Sequence, residues 1–114
     1  FELMQSTTRF VANHRAWEDP WKRKKAENLA TLLQGAINAQ DLVGLKMNVR
    51  RRDLEAVINV LPALRKPTIS TLSDAEWVAM ETILEHRKAR DLVPELKRAG
   101  AEGIAAYPLT MVVY

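Results

Sequence analysis

The spacing of apolar residues from Leu42 onward predicts an α+β fold in the order strand, helix, strand, strand, helix, strand. Three observations carry it. Val43, Leu45, Met47 and Val49 alternate with a period of two, as in a half-buried strand. Leu54, Val57, Ile58 and Leu61 recur at helical spacing, and Ala89, Leu92, Val93 and Leu96 repeat that stripe after two further strand-like runs. The order is the ferredoxin-like βαββαβ plan, four antiparallel strands with two helices on one face. A strand-like segment and a long connecting helix precede it, so the chain divides into residues 1–41 and a domain over 42–114.

Each element has its own signals. Phe1 to Asn13 mixes apolar and polar residues in a pattern that suits a strand, although no partner lies nearby in sequence. Asp19 can cap the long helix, and Pro20 suits its first position, where a missing N–H costs nothing. Leu29, Leu32, Leu33, Ala36 and Ile37 form its apolar stripe. Lys22 to Lys25 oppose the helix dipole, so this basic run does not stabilise the helix. Gly35, costing about 1 kcal/mol against Ala in mid-helix, predicts close packing against another element.

The first strand of the domain runs from Leu42 to Val49, and its helix ends at Pro62. Pro67 to Leu72 and Trp77 to Leu84 form an antiparallel pair around a polar turn at Ser73–Glu76. Gly100 closes the second helix as a left-handed cap, and Pro94 inside that stripe either starts a late helix or kinks an early one. Gly103 to Tyr107 and Met111 to Val113 make a last strand interrupted at Pro108.

Composition narrows the function classes. Among 114 residues, 47% are hydrophobic and 27% charged, which suits one globular domain and argues against disorder. No apolar run approaches the roughly 18 residues of a membrane span, and no basic-then-apolar leader follows Phe1. A beginning in mid-pattern suggests a piece of something longer. Without cysteine, disulfides, thiolate metal sites and CxxC chemistry are excluded. The net charge of +3 is spread along the chain, since six of the 17 basic and five of the 14 acidic residues precede Leu42. That spread is weak support for a nucleic-acid binder. A soluble, cytoplasmic protein without a membrane or nucleic-acid partner is the expectation.

No catalytic constellation is visible. His14 and His86 are far apart, with no second ligand at metal spacing, and Ser73, Asp74 and His86 lack the strand–turn–helix elbow of a nucleophile. In WEDPWKRKK, Trp17 and Trp21 either stack on nucleotides or pack the helix entry as a hydrophobic staple. Arg50–Arg52 form either a solvated first turn or a contact between subunits. The two runs that would be central strands, LVGLKMNV and WVAMETIL, hold one aromatic, Trp77, which argues against RNA stacking on the sheet. Asn48, ending the first strand, and Thr68, beginning the second, could meet at one rim of the sheet and bind a small polar ligand.

The run GLKMNVRRRDLEAVINVLPALRKPTISTLSDAEWVAMETIL, followed by LVPELKRAGAEGIAAYPLTMVV, resembles the C-terminal regulatory domain of the long-form ATP phosphoribosyltransferases, which begin histidine biosynthesis. STTRFVAN and AWEDPWKRKKAENLATLLQGAINAQ are similar to the end of that family's catalytic region and its connecting helix. The likeness covers essentially the whole chain. It implies an ACT-like regulatory fold that binds L-histidine between subunits of a hexamer and feeds back on the enzyme. The catalytic signature for phosphoribosyl pyrophosphate is absent here, so this portion should hold no catalytic residue, no metal ligand and no cofactor. Mg2+ is expected only for the parent glycosyltransferase, which uses ATP and phosphoribosyl pyrophosphate. By motif, Asn48 and Thr68 would supply polar side-chain contacts to histidine, Leu64 would line the pocket, and Ile83 and Gly103 would offer mainly backbone contacts. A structural oligomerisation module without a ligand of its own is the alternative.

Overall fold

A computed structural model describes residues 1–62 and 66–114. Two helices come first, α1 (His14–Glu18) and α2 (Pro20–Ala39). Then follow β1 (Leu42–Arg50), a 3-10 turn at Arg51–Asp53, α3 (Leu54–Val60), β2 (Thr68–Thr71), β3 (Trp77–Glu85), α4 (His86–Ala99) and β4 (Ala101–Pro108). From β1 onward this is the predicted βαββαβ order. All strand pairs are antiparallel, in the order β2-β3-β1-β4, so β1 and β3 are central.

One face of the sheet is closed. Val43, Leu45, Met47 and Val49 of β1 and Val78, Met80 and Leu84 of β3 pack with Val57 of α3 and with Ala89 and Leu96 of α4. Leu45, Met47, Val49, Val57, Met80 and Leu96 are fully buried. Removing each of these side chains from water stabilises the fold by on the order of 2 kcal/mol. α4 ends at Gly100, whose φ of +112° and N–H bonds to the Leu96 and Lys97 carbonyls make the left-handed cap that its sequence predicts. A Cβ there would also lie 3.1 Å from Asp53.

Of the two alternatives for Pro94, the late helix is not the one formed. α4 begins at His86 and runs through Pro94. Pro94 and Arg90 are both exposed, so water can take the Arg90 carbonyl that lacks its N–H partner.

The flanking segments depart from expectation in three places. Phe1 to Asn13 forms no strand: residues 1–12 have no regular secondary structure, are exposed and join no sheet. Asn13 instead caps α1, a short helix not foreseen in the sequence, through Oδ1 and the Ala16 N–H at 2.8 Å. α2 does begin as predicted, with the Asp19 carboxylate accepting from the Trp21 and Lys22 N–H groups at 2.9 and 3.1 Å. Trp17 and Trp21 do not pack as a staple. Both stay exposed and carry cations of α2, Arg23 at 4.8 Å from the ring centre of Trp17 in α1 and Lys25 at 5.7 Å from that of Trp21 in α2 itself.

The third departure is the C-terminus. β4 is one uninterrupted strand ending at Pro108, and Met111–Val113 is not a strand. This tail docks on α2. The Val112 N–H donates to the Gly35 carbonyl at 2.9 Å, and Asn38 Nδ2 donates to the Val112 carbonyl at 3.1 Å. A Cβ on Gly35 would stand 2.7 Å from Met111 Cγ and 3.0 Å from Val113 Cγ2. The glycine therefore permits the close approach that its position predicts, and the approaching element is the chain's own tail. The stripe of Leu29, Leu32, Leu33 and Ile37 remains about half exposed, between 49% and 58%. Among the described residues, no helix is long and apolar enough to cross a membrane.

Gly35→Leu should evict the tail while leaving the sheet intact. Hydrogen exchange of the Val112 amide is expected to accelerate at least tenfold, while the amides of β1 keep their protection. Unchanged exchange at Val112 would show that the tail does not depend on this contact.

Candidate ligand-binding face

Residues paired directly across antiparallel strands share a face, and the face alternates along each strand. Because Val43, Leu45, Met47 and Val49 point to the core, Gly44, Lys46 and Asn48 point away from it. Their partners Ile83, Glu81 and Ala79 on β3 do the same, as do Thr68 and Ser70, which pair with Glu81 and Ala79 from β2. Asn48, Thr68 and Ile83 thus lie on the sheet face that the helices leave open, and all three are exposed.

Gly103 joins them through a bulge. The β1–β4 ladder passes from Lys46↔Ala105 to Asn48↔Glu102, two residues on β1 against three on β4. Gly103 adopts φ of +59° at this point, and a Cβ there would lie 3.8 Å from the Asn48 amide nitrogen. A bulge leaves one residue's backbone groups outside the ladder, so strand polar groups are exposed beside Asn48. A shallow depression of about 450 Å³ opens there, walled by Asn48, Asp74, Trp77, Glu102 and Gly103.

The candidate residues share a face but not one rim. Asn48 is level with Ser70, so Thr68 lies two strands across and two residues along, about 12 Å away between backbones. Ile83 is level with Gly44 and lines a different cavity of about 380 Å³ with Leu42, Pro62 and Val112. From Gly103 to Ile83 the sheet spans about 17 Å, more than one free amino acid can touch. Leu64 lies outside the described residues.

Three residues that the sequence reading left aside complete the face. Tyr107 of β4 lies flat across Gly44, where an added Cβ would be 2.3 Å from the ring. Its hydroxyl donates to Glu81 Oε1 on β3. Accepting that proton, the Glu81 carboxylate holds the Tyr107 phenol above its ordinary value, with burial and the carboxylate's charge adding in the same direction. Lys46 stands between Glu81 and Ala105 in the register. The signal for this arrangement was Gly44, because a glycine inside an alternating strand marks a close approach.

Other candidates separate. Ser73 and Asp74 precede β3 and His86 follows it, so a nine-residue strand of about 30 Å stands between them. Among the described residues, no group of three His, Asp or Glu could hold a metal ion. Arg50–Arg52 hold the neighbouring turn: Arg50 stacks 5.0 Å from the Trp77 ring centre, Arg51 Nε donates to the Ala75 carbonyl at 2.6 Å, and the Arg51 N–H donates to the Glu76 carbonyl at 2.8 Å. Their turn is thus 3-10 and tied to the strand β3 entry.

A phenol whose pKa is raised on folding stabilises the native state in full below its unfolded value of about 10 and loses that contribution as the pH rises through the raised value. Wild type should therefore lose stability in this alkaline range. Tyr107→Phe, and Gly44→Ala through eviction of the ring, should both flatten that loss in urea melts at neutral and strongly alkaline pH. Equal alkaline losses in all three proteins would contradict the bond.

Comparison with known proteins identifies the family. Residues 39–111 match the family described as HisG, C-terminal domain. The chain is 56% identical to the ATP phosphoribosyltransferase of Chlorobium chlorochromatii, 55% to that of Pelotomaculum thermopropionicum and 54% to that of Solibacter usitatus, in each case over 97% of this chain and 38% of the relative. The chain thus spans little more than a third of the length of these relatives. With the family's match covering most of the chain and the fold predicted from its periodicity present, the protein belongs to the HisG C-terminal domain family.

Proposed function

We propose that this chain is the regulatory end of an ATP phosphoribosyltransferase, in the cytoplasm, and binds L-histidine between copies of itself to report the pathway's end product. The observation that carries the reading is the placement of Asn48, Thr68, Ile83 and Gly103 on one open sheet face, yet too far apart to enclose a single ligand within one copy. Two copies facing each other, each giving part of the set, would bring such residues around one molecule. Asn48 and Thr68 offer an amide and a hydroxyl, and the bulge at Gly103 offers backbone groups that the ladder does not use.

Feedback then has a physical form. Histidine that binds one arrangement of the copies more tightly shifts the population toward it, and that differential affinity is the coupling free energy felt elsewhere in the assembly. The transfer between ATP and phosphoribosyl pyrophosphate, and any Mg2+ it needs, would belong to the portion of the parent not included in these residues. No step of it is drawn through this chain.

A second reading, an assembly module with no ligand, is favoured by the half-exposed Leu29, Leu32, Leu33 and Ile37 of α2, an apolar stripe that a neighbouring surface would cover. Calorimetric titration with L-histidine separates the two. Sensing predicts saturable heat that weakens about tenfold or more in Thr68→Ala, the scale of one lost hydrogen bond to a charged or polar group. No heat from a folded sample favours assembly alone. Both readings predict self-association by sedimentation at tens of micromolar, and a monomer at that concentration would count against both.

A further inference from the structure

Lys46 and Glu81 are directly opposite each other on the two central strands of the open face. Residues so placed have Cβ atoms about 5 Å apart, and opposite charges there ordinarily pair. These two do not. Among the described residues the ion pairs are Arg23–Glu27, Arg52–Asp53 and Lys88–Glu85. Glu81 instead accepts the Tyr107 hydroxyl, which reaches it across Gly44. The phenol holds the carboxylate toward β4, and Lys46 is exposed in the middle of the face. Thr68 adjoins Glu81 from the other side.

From this separation we infer that Lys46 and Glu81 are the recognition pair for a zwitterion, the α-carboxylate of a free amino acid going to Lys46 and its α-ammonium to Glu81, with Tyr107 as the positioning residue of Glu81. This rests on the amino-acid-sensing reading above and deepens it. Asn48 is neutral, and near neutral pH the imidazole of histidine, with an ordinary pKa of about 6.5, is largely uncharged. The α-ammonium is then the ligand's full cation, and a charge-assisted bond to a carboxylate is about twice as strong as one to an amide. Glu81 is the carboxylate that the face offers beside Thr68. Two opposite charges held apart at cross-strand distance match the α-ammonium and α-carboxylate, which flank a single carbon.

The test is calorimetric titration at neutral pH of the whole chain and of the Glu81→Gln, Lys46→Met and Tyr107→Phe variants. Three ligands are used: L-histidine, histamine, which keeps the ammonium, and imidazole propionate, which keeps the carboxylate. Glu81→Gln should weaken L-histidine and histamine at least tenfold and leave imidazole propionate unchanged. Lys46→Met should do the reverse for the two single-charge ligands while also weakening L-histidine. Tyr107→Phe should follow the pattern of Glu81→Gln at smaller amplitude, which a merely structural role would not produce. Wild type that binds L-histidine, with variants that bind it equally well or lose all three ligands alike, would overturn the assignment and leave the sensing proposal standing. Wild type that binds none would overturn both.

Discussion

If the antiparallel pairing of β1 with β3 slipped by one residue, every side chain of the moving strand would exchange faces. The pairing runs from Leu42↔Glu85 to Arg50↔Trp77 without a break. In the observed register Leu45, Met47 and Val49 meet Val78 and Met80 under the two helices. The same register sends Lys46, Asn48 and Glu81 to the opposite side. Core and candidate binding face are therefore two consequences of one ladder. The fully buried set on one side makes a slip costly, and so holds the polar set on the other side in place.

β2 and β4 extend this ladder in different ways. β2 is short and exposed along its whole length, and it contributes Thr68 and Ser70 as an edge. β4 follows β1 until its bulge, where one extra residue breaks the alternation. Because of it, Ala101 is buried while Ala105 and Tyr107 lie on the open face. Without that residue the two halves of β4 could not both match β1, and Tyr107 would not lie over Gly44. A glycine in each strand, Gly44 and Gly103, makes the arrangement sterically possible.

Outside the domain, α2 has two unlike sides. One receives the C-terminal tail at Gly35 and Asn38, tying the last residues of the chain to the helix that precedes the first strand. The other presents leucines and Ile37 to solvent. The helix is thus anchored to the C-terminal tail by its small and polar residues, while its apolar stripe stays half exposed. Under the proposed function, that stripe and the open sheet face are places where movement of the copies would change buried area, which is where a ligand's preference for one arrangement would act.

How much was legible follows from the range of the interactions involved. Period-two and helical spacing, the Asp19–Pro20 start and the Gly100 cap depend on residues within one or two turns of each other, and all of these determined by themselves the elements they mark. Gly35 announced a close approach without saying what approaches, because a missing Cβ records a space and not its occupant, and Gly44 carries the same signal without having been read for it. The motifs placed Asn48 and Thr68 on neighbouring elements of one domain, but only the register decided that they sit about 12 Å apart with Glu81 beside Thr68. Tyr107 and Glu81 are 26 residues apart in sequence and meet across a strand belonging to neither. Met111–Val113 has the composition of a strand, yet it lies on α2, where Gly35 leaves room for Met111 and Val113 while the Gly35 carbonyl and the Asn38 amide take the Val112 backbone groups. Local periodicity therefore determined which elements exist, and long-range pairing decided which of their side chains can act on one ligand.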